Sequence, residues 1–78
     1  MNSLVFYKSK KAVNICFHEK KMKIFLEDGI EISVPLEWFS SLSNATAEQL
    51  NNWRLIGNGE GIHWHEIDED ILVENLLE

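Results

Sequence analysis

His63 and His65 flank Trp64, and Glu66, Asp68 and Asp70 follow close behind. Two imidazoles on one side of a strand, with carboxylates nearby, make a loose donor set for a divalent metal. Structural zinc wants four ligands in recognisable pairs, and this stretch holds only one pair. The spacing therefore predicts structural histidines in the cluster His63, Trp64, His65 and Asp68, with no metal and no cofactor. A small metal-dependent enzyme built on His63, His65 and Asp68 stands as an alternative. Asp68-Glu69-Asp70 lacks the glycine and distal glutamate of a calcium loop. Asp68 or Asp70 is instead expected to accept backbone N–H bonds where a final helical turn begins.

Cys16 and His18 supply a thiol and an imidazole on one strand face, the minimal pair for a cysteine nucleophile. Residues two apart on a strand sit about 7 Å apart along the backbone, and no third group is evident to orient the base. No catalytic residue is expected. Asn58-Gly59-Glu60-Gly61 lacks the lysine and hydroxyl of a phosphate loop, and Asn44-Ala45-Thr46 is a glycosylation sequon only in form. Of Trp38, Trp53 and Trp64, two are expected to be structural because of the large apolar area each carries.

The elements that position these residues fit one domain, 1–78, since 78 residues are too few for two cores. A composition of 45% hydrophobic and 26% charged residues is that of a folded globular chain. No apolar run reaches a membrane span, and the first residues lack the apolar core of a signal peptide. The expected location is cytoplasmic, without membrane contact. The single cysteine allows no internal disulfide, so packing alone must hold the fold.

Val13, Ile15 and Phe17 alternate with Asn14, Cys16 and His18. Met22, Ile24 and Leu26 repeat the pattern, as do Ile30, Ile32 and Val34. With Asp28-Gly29 as a type I′ turn signal, the sequence predicts a three-stranded antiparallel meander over about 12–35. Residues 1–11 are expected to add a short strand at Leu4 to Tyr7 or to form a loose arm. Leu36, Phe39 and Leu42 predict a short helix or a 3₁₀ turn, and Ser40 to Asn44 a polar linker. Thr46 and Gln49 have capping-box spacing, and Ala47, Leu50 and Trp53 predict a longer helix that runs to Gly57. A short strand near 62–64 and a short C-terminal helix within Asp68 to Leu77 complete an α+β fold.

Three strings in order, ISVPLEWF, NATAEQLNNW and GNGEGIHWHEIDEDILVENLL, resemble the bacterial family called domain of unknown function 2442, over about Lys21 to Leu77. Ser40 and His65 stand where such sequences often have proline. Leu72 stands where they often have serine, so the last helix is expected to lack a side-chain cap. The resemblance implies an α+β fold and a place in toxin-antitoxin-like gene pairs. Some such proteins also carry a helix-turn-helix domain, and direct operator binding is not expected to carry over to this chain.

The net charge of −6 is unevenly spread. Residues 1–39 hold six lysines against five acids, whereas residues 40–78 hold Arg54 against eight acids. An acidic C-terminal half repels phosphate and attracts bases. The sequence and the resemblance together predict a non-enzymatic, antitoxin-like module that binds a basic, toxin-like protein through Glu66, Glu69, Asp70 and Glu74. No direct nucleic-acid binding is expected, and a free sheet edge leaves homo-oligomers open. An acidic inhibitor that mimics nucleic acid is the other alternative.

Overall fold

The computed structural model describes residues 10–77, so the expectation for Leu4 to Tyr7 lies outside the described residues. Two antiparallel meanders follow one another. The first is β1 (Ala12–His18), β2 (Lys21–Leu26) and β3 (Glu31–Pro35), in that spatial order. Two short helices, α1 (Ser40–Ser43) and α2 (Ala47–Leu50), lead to the second: β4 (Trp53–Ile56), β5 (Gly61–Trp64) and β6 (Glu69–Leu72), again in spatial order. Single 3₁₀ turns span Leu36–Trp38, Gly57–Gly59 and Val73–Leu76. The fold class is α+β, and the meander over 12–35 is as the sequence predicts.

One of its two turns differs from expectation. The two-residue β1–β2 turn is Glu19-Lys20, and both residues have positive φ, 50° and 66°. That is the requirement of a type I′ turn, met here by two residues with Cβ atoms. At Glu27-Asp28-Gly29 only Gly29 is left-handed, at φ 92°. The Gly29 N–H donates to the Leu26 carbonyl and the Leu26 N–H to the Ile30 carbonyl. This is a three-residue loop whose last residue forms a bulge, not the expected type I′ pair.

β1 carries a correction of its own. Ala12 pairs with Leu26 and Asn14 with Phe25, so Val13 is an extra residue in a bulge. Ala12 is buried in its place and Val13 is 57% exposed, although Val13, Ile15 and Phe17 alternate without a break in the sequence.

Leu36–Trp38 form the expected 3₁₀ turn, whereas the expected polar linker is α1, whose single turn at Ser40–Ser43 buries Leu42 fully. The capping box at Thr46 and Gln49 is present, with bonds of 2.9 and 3.1 Å. The helix it starts ends at Leu50, however, and Trp53 lies on a strand. Two interactions explain the early stop. The Leu50 carbonyl, an orphan acceptor at the helix end, takes the Trp64 indole N–H at 3.0 Å. Trp53 and Leu55 then pair with Trp64 and Ile62, so the sheet claims residues whose spacing also suits a helix. The expected strand at 62–64 is the centre of this second sheet. The expected C-terminal helix is strand β6 followed by a 3₁₀ turn. Leu72 precedes that turn and makes no side-chain cap.

One apolar cluster draws on both sheets and on α1. Ile15, Met22, Ile24, Leu26 and Val34 come from the first meander, and Ile62, Trp64, Ile71 and Val73 from the second and its trailing turn. Trp64 is fully buried with its one polar atom bonded, which lets the largest side chain sit at the centre without cost. Gly59 closes the β4–β5 connection against β1: its φ is 95°, and a Cβ there would overlap the Ala12 carbonyl oxygen.

Candidate functional site

The pleat of the second sheet sorts its side chains by parity. Ile62 and Trp64 on β5 face the core, with Ile71 and Glu69 opposite them on β6. On the other face, Arg54, His63 and Asp70 form one row across the three strands. Ile56, Gly61 and Leu72 form the next. Ile56 and Leu72 are apolar and exposed.

His63 Nδ1 and Asp70 Oδ1 are hydrogen-bonded, with the imidazole largely covered and the carboxylate mostly exposed. His65 begins the β5–β6 loop, and its ring centroid lies 6.3 Å from that of His63. Asp68 is in the same loop at φ 52°, a left-handed position that aspartate tolerates. Contrary to the expectation from the sequence, Asp68 and Asp70 do not cap a final helix: one shapes a loop and the other faces His63 from the next strand. Among the described residues no three of His, Cys, Asp and Glu are grouped closely enough to share a metal ion.

Glu69 and Asp70 are neighbours in sequence but lie on opposite faces of β6. The Ser41 hydroxyl, on α1, donates to Glu69 on the core side, while Asp70 meets His63 on the outer side. A hydroxyl, an imidazole and a carboxylate are thus all present near β6, yet the strand itself separates the serine from the histidine. The geometry of a nucleophile, base and orienting acid is not assembled there. Cys16 and His18 are on the first sheet, both exposed, with Cys16 opposite Lys23 and His18 Nε2 3.4 Å from Glu19.

Glu66 and Glu74, the other two candidate acids, also have partners within the chain. The Asn52 amide donates to Glu66 at 3.3 Å, and Lys10 Nζ lies 3.4 Å from Glu74. Both contacts are exposed, where such pairs contribute little, so both carboxylates are accessible. Ser41, Asn52 and Lys10 were not identifiable from the sequence, because each meets its acid across a long sequence separation. The charge pattern carries over in its acidic half: the first meander holds Lys20, Lys21 and Lys23 against Glu19, Glu27, Asp28 and Glu31, whereas the second holds Arg54 alone against Glu60, Glu66, Asp68, Glu69 and Asp70.

No curated protein matches the chain. Its fold is similar to that of a solved structure, a protein of unknown function from Rhodospirillum rubrum ATCC 11170. That likeness has a TM-score of 0.76 and 25% identity, over 86% of this chain and 83% of the other. The model of the family described as "Protein of unknown function (DUF2442)" matches residues 12–78, from the bulged start of β1 through the acidic second sheet, and the chain belongs to that family.

Proposed function

We propose that the protein is a non-enzymatic binding module, antitoxin-like, working in the cytoplasm, whose acidic second sheet occupies a basic protein partner. The observation that carries this reading is the one-sided charge of the second sheet and the residues that follow it. From Glu60 to the C-terminus there are seven acids and no lysine or arginine, far more carboxylates than the loops and strand of that segment need. A surface of one sign steers a partner of the other sign and speeds encounter. It also disfavours phosphate, so the isolated chain is proposed not to bind nucleic acid or membranes directly. The separation of Ser41 from His63 by β6 supports a role without catalysis.

The test is association kinetics with the partner recovered from native cells. Glu66 and Glu74 are the residues to reverse, since both are exposed. Glu69 is held by Ser41 and half-buried, and Asp70 contacts His63, so both stay as they are. Glu66→Lys with Glu74→Lys should slow association about tenfold at low salt and leave dissociation nearly unchanged, as rim charges do. The wild-type rate should fall as added salt shortens the screening length. An unchanged rate in the variant, with no salt dependence in the parent, removes the electrostatic mechanism.

A further inference from the structure

β6 is an edge strand, with β5 on one side and no described strand on the other. Its hydrogen-bond parity is fixed by its continuation, where the Val73 N–H donates to the Glu60 carbonyl at 2.9 Å. Antiparallel pairs alternate between bonded and non-bonded. With Val73 opposite Glu60 in a bonded pair, Ile71 opposite Ile62 and Glu69 opposite Trp64 are bonded as well. Asp70 and Leu72 consequently point their backbone N–H and C=O groups outward, away from β5. Along this open edge runs a groove of about 280 Å³, walled by Trp38 and Phe39 on one side and Asp70, Ile71 and Leu72 on the other, with Leu76 at one end. Trp38 is 66% exposed and Leu72 47%, the two largest apolar exposures in the second half of the sheet system and the helical segment before it. Among the described residues no lysine or arginine lines the groove.

We infer that this groove docks an extended, basic segment of a partner protein, which adds to the edge of β6 as a fourth strand. The inference rests on the proposed function and assigns its contact. Strand addition supplies main-chain hydrogen bonds to Asp70 and Leu72, and alternate side chains supply the selectivity. Residues of the added strand on the inner side meet Trp38 and Phe39, which favours aliphatic side chains. Residues on the outer side lie across from Asp70 and Leu72. A lysine or arginine fits both, its ammonium or guanidinium reaching the Asp70 carboxylate and its stem lying along Leu72. The carboxylate and the acids around it select the basic segment over an acidic one.

The probe is a blocked nonapeptide of alternating valine and lysine, with a valine–glutamate peptide as control, added to the full chain. Hydrogen exchange by NMR reads the edge directly. The Asp70 and Leu72 amides should exchange fast in the free protein and slow at least tenfold at saturating valine–lysine peptide, while the glutamate peptide leaves them unchanged. Trp38→Ala, at an exposed position that leaves the fold intact, should weaken binding at least tenfold. If the lysine peptide binds but those two amides and the Trp38→Ala affinity do not change, charge attraction acts elsewhere. The groove inference then fails while the acidic-surface reading stands. Equal binding of the glutamate peptide overturns the inference and takes support from that reading too. Absence of binding by the lysine peptide overturns the inference. Slow exchange of Asp70 and Leu72 in the free chain also overturns it. The edge would then be covered by a second copy if that protection rises with protein concentration, or by residues 1–9 if it does not.

Discussion

Replacing Glu19-Lys20 by Asn-Gly should stabilise the protein, because two residues with Cβ atoms now hold the left-handed conformations of the β1–β2 turn. For an L-residue that conformation costs roughly 1–2 kcal/mol through the clash of Cβ with the next carbonyl. Lys20→Gly removes the clash but returns about 0.5–1 kcal/mol in unfolded-chain entropy. Glu19→Asn recovers a further part, since asparagine tolerates this region by bonding locally. The net gain is about 1 kcal/mol. Little is lost in exchange: the His18–Glu19 contact is highly exposed on both sides, and the bond from the Leu36 N–H to the Lys20 carbonyl, 3.0 Å, uses backbone that glycine keeps. For a domain of this size 1 kcal/mol corresponds to a rise in Tm of about 4–8 °C. Thermal melts by circular dichroism and urea titration provide the assay, with the gain expected in the midpoint and an unchanged m-value. A lower midpoint in the Asn-Gly variant would mean that the turn is not type I′ and that the β1–β2 register, which pairs His18 with Lys21, is misassigned.

Ile24→Asp should unfold the domain, since Ile24 is fully buried and an unpaired carboxylate there costs more than so small a fold can supply. Ile32→Asp, at a half-buried position, should lower the melting temperature yet leave a cooperative transition; equal effects at the two sites would contradict the burial difference between them. Gly59→Ala should destabilise by about 2 kcal/mol or more through its positive φ and the collision with the Ala12 carbonyl, whereas Gly29→Ala, with open space around its Cβ, should cost only the conformational term, about 1 kcal/mol. Urea midpoints of the two variants rank them directly.

The first meander was legible because Met22, Ile24 and Leu26 alternate and their partners do too, so local pattern and tertiary pairing agree. The bulge at Val13 was not legible. Val13, Ile15 and Phe17 alternate cleanly, and only the pairing of Ala12 with Leu26, with Gly59 packed against the same Ala12, decides that Ala12 turns inward. A similar conflict explains the segment after Thr46. Ala47, Leu50 and Trp53 repeat every third residue, as a helix would, while Trp53 and Leu55 alternate, as a strand would. The capping box fixes where the helix starts. Its end is set from outside, by the Trp64 indole on the Leu50 carbonyl and by the ladder to β5. Nothing local to residues 47–53 encodes either contact.

The acids of the candidate surface show the same division between what composition reveals and what register decides. Their sign and crowding were plain in the sequence; their availability was not. Glu66 and Glu74 keep exposed carboxylates with weak contacts, so their charge is free to act at a distance. Glu69 turns toward the core and is engaged by Ser41, and reversing it would place an ammonium opposite the buried Trp64. Asp70 is on the outer face beside His63, with its backbone aimed at the open edge. One residue of register separates these two roles, because a strand exchanges its faces at every step. A variant that changes all the acids together would mix loss of long-range attraction with damage to the fold. Glu66 and Glu74 changed alone address attraction, and Trp38 changed alone addresses the groove, so the two experiments report on different physical terms of the same encounter.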